Sequence, residues 1–292
     1  MSVDVLQDKI RKSKNPSAVD LSLNLSDLPP HLLAEEKTPV KAYDRFCREL
    51  LEGLKGTVPA VRFSFTACAL LGHEGLQLLT DLLHRSRALG YYVLLEAPYL
   101  LSPMMATGVA EAVFGENALY PCDGLITGTY AGSDVVKPFL PYVKDGKKDL
   151  FCVVRTSNKS APEIQDLLSG SRLVHAATAD QINRFGAELT GKFGYARVGV
   201  MAGANSADSL KNLRNKYPRL FLLVDDMDYS GCNAKNCSYA FDKFGHGAVV
   251  CAGPTVTMAW KSAETDGSDY VQQAVSAAER MKKNLTRYTT VL

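Results

Sequence analysis

Short apolar runs of strand length alternate with longer amphipathic stretches along this chain, and the alternation repeats about eight times. Runs rich in Val, Ile and Leu predict strands at 17–23, 59–65, 91–96, 123–127, 150–155, 196–201, 219–224 and 247–252. Between them, apolar positions recurring every three or four residues predict helices that include 74–89, 102–115, 160–168, 206–216 and 233–244. Strands that are nearly continuous in apolar residues belong to a parallel sheet covered by helices, because both faces are buried. An open doubly wound sheet would need a glycine-rich phosphate loop after its first strand, and Leu21-Ser-Leu-Asn-Leu-Ser-Asp27 is no such loop. The expected fold is therefore α/β, a single (β/α)8 TIM barrel filling residues 1–292 as one domain. A helix at 2–14 precedes the first strand and could close the barrel's base. A last helix at 267–286 follows the eighth strand, and its basic end (Arg280, Lys282, Lys283, Arg287) suits the negative pole of a helix C-terminus.

Composition narrows the partners more than it identifies them. The chain is 46% hydrophobic, enough for a large core, and its 33 basic and 31 acidic residues are interspersed. No basic block suggests nucleic acid, and no apolar run approaches the roughly 18 residues needed to span a bilayer. The amphipathic N-terminus lacks the apolar core of a signal peptide, so a cytoplasmic protein is expected. In that setting the sequons at Asn24, Asn236 and Asn284 carry no meaning. Cys68, Cys122, Cys152 and Cys251 sit in apolar surroundings as small hydrophobes. Cys232 and Cys237 have no second Cys/His pair to complete a zinc site, and the histidines (His31, His73, His84, His175, His246) show no metal-binding spacing. Neither a metal nor a cofactor is expected, and no Gly-x-Ser-x-Gly elbow marks a serine nucleophile.

The clearest signal follows the fifth apolar run. Leu150-Phe-Cys-Val-Val154 leads into Arg155-Thr-Ser-Asn-Lys-Ser-Ala-Pro-Glu-Ile-Gln165, and upstream lies Thr129-Tyr-Ala-Gly-Ser-Asp-Val-Val-Lys-Pro-Phe-Leu140. Both segments closely resemble the orotidine 5'-monophosphate decarboxylases of the bacterial type 2 group, and the matching register covers about residues 4–265. Asn15-Pro16 resembles that family's opening, Val58-Pro-Ala-Val-Arg-Phe-Ser-Phe65 its second strand, and Leu71-Gly-His-Glu-Gly-Leu76 the start of its next helix. The resemblance implies a barrel, a homodimer whose sites span the subunit interface, and a site built from charged side chains at the strand ends.

Those site positions hold other residues. The ribose-contacting aspartate of the family falls on Ser22, and the lysine of its second strand on Arg62. The third-strand Asp-x-Lys-x-x-Asp pattern reads Glu96-Ala97-Pro98-Tyr99-Leu100-Leu101. The family chemistry crowds the substrate carboxylate with carboxylates, and a lysine stabilises the developing carbanion and protonates it. Pro98 cannot donate a proton, and Leu101 removes the carboxylate that would reach the neighbouring site. Arg62 and Glu96 keep only the signs of the first lysine and first acid, as expected of a structural salt bridge. The glycine-rich phosphate loop is replaced by Asp225-Asp-Met-Asp-Tyr-Ser-Gly-Cys232, and the phosphate-pairing arginine after the eighth strand is Pro254. The three aspartates there could repel a phosphate, hold a hard cation, or simply form a strand-end turn. Arg155–Asn158 with Gln165 could contact a base edge or cap the next helix, with Ser160 and Glu163 spaced as a capping box.

The expectation is a decarboxylase homologue that has lost the reaction, either a pseudoenzyme or a protein with a nucleotide-like or altered small-molecule ligand. The remaining pocket would be lined by Ser22, Arg62, Glu96, Thr156, Ser157, Asn158, Asp228 and Pro254. Two alternatives stand beside it: an active decarboxylase of pyrimidine (UMP) biosynthesis with a rearranged site, and a regulatory partner of an active decarboxylase.

Overall fold

The computed structural model describes residues 2–97, 102–227 and 232–292. Eight parallel strands close a barrel: β1 (Ser17–Asp20), β2 (Ala60–Ser64), β3 (Tyr92–Glu96), β4 (Gly124–Gly128), β5 (Asp149–Arg155), β6 (Ala196–Gly203), β7 (Leu220–Asp225) and β8 (Ala248–Ala252). Around the barrel they run β1–β8–β7–β6–β5–β4–β3–β2 and back to β1. Every predicted strand is present, and no end moves by more than three residues. The largest change is at β1, which stops at Asp20 because its carboxylate accepts the Ser22 backbone N–H at 2.9 Å, an Asx-type turn.

The seven longer helices are α1 (Val3–Ser13), α2 (Pro39–Gly53), α3 (Gly72–Ala88), α4 (Pro103–Phe114), α5 (Val174–Gly186), α6 (Ala207–Lys216) and α7 (Tyr270–Thr286). The expectation of a helix over 160–168 is corrected. Only Pro162–Gln165 is helical, and a two-stranded hairpin (Leu168–Ser169 with Arg172–Leu173) follows. The hairpin turns at Gly170, whose φ of +66° favours glycine. The covering helix between β5 and β6 is α5 instead. The 233–244 segment likewise keeps a helix only over Ala234–Ser238.

Two apolar clusters divide the core by strand parity. Inward-facing side chains, among them Ala18, Ala60, Tyr92, Leu94, Ile126, Phe151, Phe221, Leu223 and Val249, fill the barrel. Val3, Leu6 and Ile10 of α1 belong to this inner cluster, so α1 packs onto the interior residues rather than onto the helical layer. The alternate, outward residues meet α2–α7 in the larger cluster. Gly124 makes room for the large interior rings: a Cβ there would lie 2.7 Å from the Tyr92 hydroxyl and 2.9 Å from the Phe151 ring. Buried Arg214 ties the lower turns together by donating to the carbonyls of Ala240, Pro218, Leu220 and Gly247 at 2.6–2.9 Å. Among the described residues, no helix is long and apolar enough to cross a membrane.

Candidate active site

Strand parity determines which side chains meet at the barrel mouth. Counting by twos from the interior residues, Ala18 leads to Asp20, Ala60 to Arg62, Leu94 to Glu96, and Leu223 to Asp225. Each of these four is at or near the C-terminal end of its strand, and Asp20 and Arg62 are direct partners in the β1–β2 register. The guanidinium of Arg62 donates to the carboxylates of Asp225 and Glu96, and its Nε lies 3.5 Å from Asp20 Oδ2. The expected pairing of Arg62 with Glu96 is present, but it is one arm of a larger cluster. A planar fork with five donors can serve three carboxylates at once, which a lysine's point charge cannot do with the same geometry.

The cluster sets one positive charge against three carboxylates. Burial alone would lower the Arg62 pKa, but Asp225, Asp20 and Glu96 hold it well above the ordinary range. Burial raises the Asp225 pKa to about 6, against the opposing pull of Arg62, with Asp226, Asp20 and Glu96 adding to the rise. Burial also raises the Asp20 pKa, opposed by Arg62 and by hydrogen bonds from Ser22. Exposure is graded across the four: the side chains of Arg62 and Asp225 are 8% and 10% accessible, Asp20 18%, and Glu96 35%. Glu96 is thus the member that faces outward. The arrangement can hold or release a proton near neutral pH through a carboxyl group, whereas the guanidinium stays charged.

A second network occupies the ends of β5, β6 and β7. Arg155 grips Asp166 through two nitrogens (3.1 and 2.9 Å) and donates to the Thr156 carbonyl at 3.0 Å. Gln165 clamps Thr156 twice, accepting its N–H and donating to its hydroxyl, both at 2.8 Å. The Thr156 hydroxyl in turn donates to Asn158 Oδ1 at 2.5 Å. Ser157 donates to the carboxylate of Asp226, and Asn205 donates to the Ser157 carbonyl at 2.6 Å. The hydroxyls and amides expected to read a base edge are therefore satisfied largely within the loop, while Asn158 is exposed. The capping box is not formed: the helix at 162–165 has no side-chain cap, and the Glu163 N–H bonds the Ser160 carbonyl instead.

The remaining predicted positions scatter. Ser22 sits just past β1 and is held to Asp20 by its backbone. Pro254 is exposed and opens the short helix Pro254–Thr257, next to Gly253, which packs near Asp20. Pro98, Leu101 and Asp228 lie outside the described residues. Of the aspartates expected to repel a phosphate, hold a hard cation or form a strand-end turn, Asp225 and Asp226 are turned to Arg62 and Ser157. Sequence reasoning missed Asp20 altogether. The family register drew attention to Ser22, whereas inward parity from Ala18 would have selected Asp20.

The fold and this charged strand-end cluster define a (β/α)8 barrel of the kind that places its chemistry at the C-terminal mouth. By sequence the chain is a homologue of the orotidine 5'-phosphate decarboxylases. It is 24% identical over 286 residues to the enzyme of Clostridium novyi, covering 98% of both chains. It is 27% identical to that of Rhodopirellula baltica, covering 94% of both. No protein-family profile matches. Among solved structures, the Leishmania donovani decarboxylase superposes with a TM-score of 0.72 at 20% identity, covering 97% of this chain and 99% of its own. The Methanocaldococcus jannaschii enzyme, complexed with the inhibitor BMP, superposes at 0.62 and 14% identity, covering 93% of this chain and 98% of its own. At those identities the structural likeness speaks to the fold.

Proposed function

We propose that this chain is a decarboxylase homologue that does not decarboxylate orotidine 5'-monophosphate, and that its barrel mouth takes a neutral or cationic small molecule. The observation that carries this reading is the binding of Arg62 by Asp20, Glu96 and Asp225. The family mechanism needs an ammonium that can give up its proton. Arg62 does not deprotonate at any ordinary pH, Pro98 has no proton to give, and no lysine occurs between Lys55 and Lys137. An anionic substrate would also meet carboxylates in excess of cations, and like charges in a partly buried site repel strongly. We read the protein as cytoplasmic.

Turnover of orotidine 5'-monophosphate, followed by its absorbance change, tests this reading. The protein is produced in a host lacking its own decarboxylase. The expected result is no rate above the blank. A rate abolished by Glu96→Gln or Asp225→Asn would overturn the proposal and make the cluster a substituted catalytic network, with a carboxyl as the proton donor.

We further propose that two copies pair. Large apolar side chains are exposed on three successive crossovers: Met104 and Met105 after β3, Tyr130 after β4, and Ile164, Leu167 and Leu168 after β5. Strands β3, β4 and β5 are neighbours in the barrel, so these crossovers share one side of it. These are six of the thirteen exposed large apolar side chains among the described residues, a concentration that fits a self-association surface.

A further inference from the structure

A cavity of about 180 Å³ lies beside the C-terminal ends of β7 and β8, beneath α7. Ala252, Val256, Ala277 and Met281 give it an apolar floor, and Arg280 and Asn284 stand among its lining as the polar groups of α7. Among the described residues, no carboxylate lines it. Arg280 has no carboxylate partner among the described residues, in contrast to Arg62, Arg155 and Arg45, each of which is tied to at least one acid. An apolar cavity of about 150 Å³ is large enough to bind benzene. The volume here therefore admits a single six-membered ring, and the guanidinium supplies a paired donor for a carboxylate on that ring.

We propose that this cavity is a binding site, separate from the Arg62 cluster, for a compact monoanion with an apolar body, of the aryl carboxylate class. The two sites are opposite in charge. The Arg62 cluster holds more carboxylates than cations and disfavours anions, whereas this cavity offers a cation without a competing acid among the described residues. Recognition divides between the ring, which displaces water from the Ala277 and Met281 surface, and the carboxylate, which pairs with Arg280 and accepts from the Asn284 amide. The helical spacing of Ala277, Met281 and Asn284, with Arg280 between them, places all four on one stripe of α7.

The probe is benzoate, titrated into the full-length protein labelled with methyl-13C methionine, with the Met281 resonance assigned from Met281→Leu. Benzoate should shift that resonance saturably. Benzamidine, matched in size and opposite in charge, should leave it in place. Arg280→Gln, on an exposed side chain that does not threaten folding, should weaken benzoate by about three- to fivefold, the loss expected for a solvent-screened ion pair. Ala277→Leu should fill the floor and abolish binding. Equal shifts with benzamidine, or unchanged benzoate affinity in Arg280→Gln, would overturn the proposal. Should Ala277→Leu fail to fold, the Arg280→Gln result decides alone.

Discussion

Replacing Arg62 by Met keeps most of the side chain's length and removes its charge, which isolates the electrostatic role of the guanidinium. The change leaves Asp20 and Asp225 buried without their cation, and deleting one partner of a buried ion pair costs about 3–5 kcal/mol. For a chain of 292 residues that corresponds to a fall in Tm of roughly 5–8 °C. The pH dependence is the more discriminating part. The pKa of Asp225 is raised to about 6 in the folded protein from an ordinary value of 3.8, so the native state binds its proton more tightly than the unfolded chain does. Stability contributed by this group is therefore full below about pH 4 and is lost as pH rises through 6, by roughly 3 kcal/mol in the wild type. Without Arg62 nothing opposes the burial, the folded pKa climbs further, and the losing window extends upward. Unfolding of wild type and variant in urea at pH 5 and pH 8 should show a large deficit at pH 8 that shrinks at pH 5. Arg62→Lys should fall between the two, because a point charge cannot fork among three carboxylates. Deficits that agree within about 1 kcal/mol at the two pH values would mean that the aspartates do not depend on Arg62 for their charge, and the electrostatic account of the cluster would be wrong.

Two further outcomes follow from buried or exposed groups elsewhere. Asp149 at the barrel base accepts from the Tyr92 hydroxyl at 2.6 Å, and burial raises its pKa to about 7. Wild-type stability should therefore drop as pH rises from about 4 through 7, while Asp149→Asn should flatten that slope in urea titrations; an unchanged slope would count against Asp149 as the titrating group. Leu168 is 73% exposed on the hairpin after β5, and Leu168→Glu should lower the sedimentation coefficient from dimer toward monomer at tens of micromolar protein. A wild type that already sediments as a monomer would remove the pairing proposal.

The barrel was legible because its strands are buried on both faces and write themselves as unbroken Val, Ile and Leu runs. The helices were less so where their inner face is small. The buried residues of α5 are His175, Ala179, Ile182 and Gly186, a face with one large apolar side chain. The periodicity there has little contrast, and the more apolar Ile164–Leu168 stretch drew the helix to the wrong place. The hairpin at 168–173 instead leaves Leu167 and Leu168 in solvent. At the mouth, Arg62 and Glu96 could be found from their positions at strand ends. Asp20 was passed over because the family register points two residues further on, to Ser22, beyond the tight turn that ends β1, although inward parity from Ala18 selects it. Asp225 was visible as an acid but not as a partner, since its role depends on a contact 163 positions away in sequence.

The graded exposure of the cluster says how such a mouth would be used. Arg62 and Asp225 are nearly sealed, so their pairing sets the shape and the proton affinity of the floor without offering either group freely to a ligand. Glu96, at 35% accessible, is the carboxylate a ligand would reach first. A cationic or hydrogen-bond-donating group approaching Glu96 would compete with Arg62 for its oxygens, release part of the guanidinium toward Asp20, and so strengthen the longest contact in the cluster, now at 3.5 Å. An anion would do the reverse, drawing Arg62 away from two buried aspartates whose charge then loses its support. The same network that stabilises the mouth thus discriminates by ligand charge, because the cost of moving Arg62 is borne by Asp20 and Asp225 rather than by water.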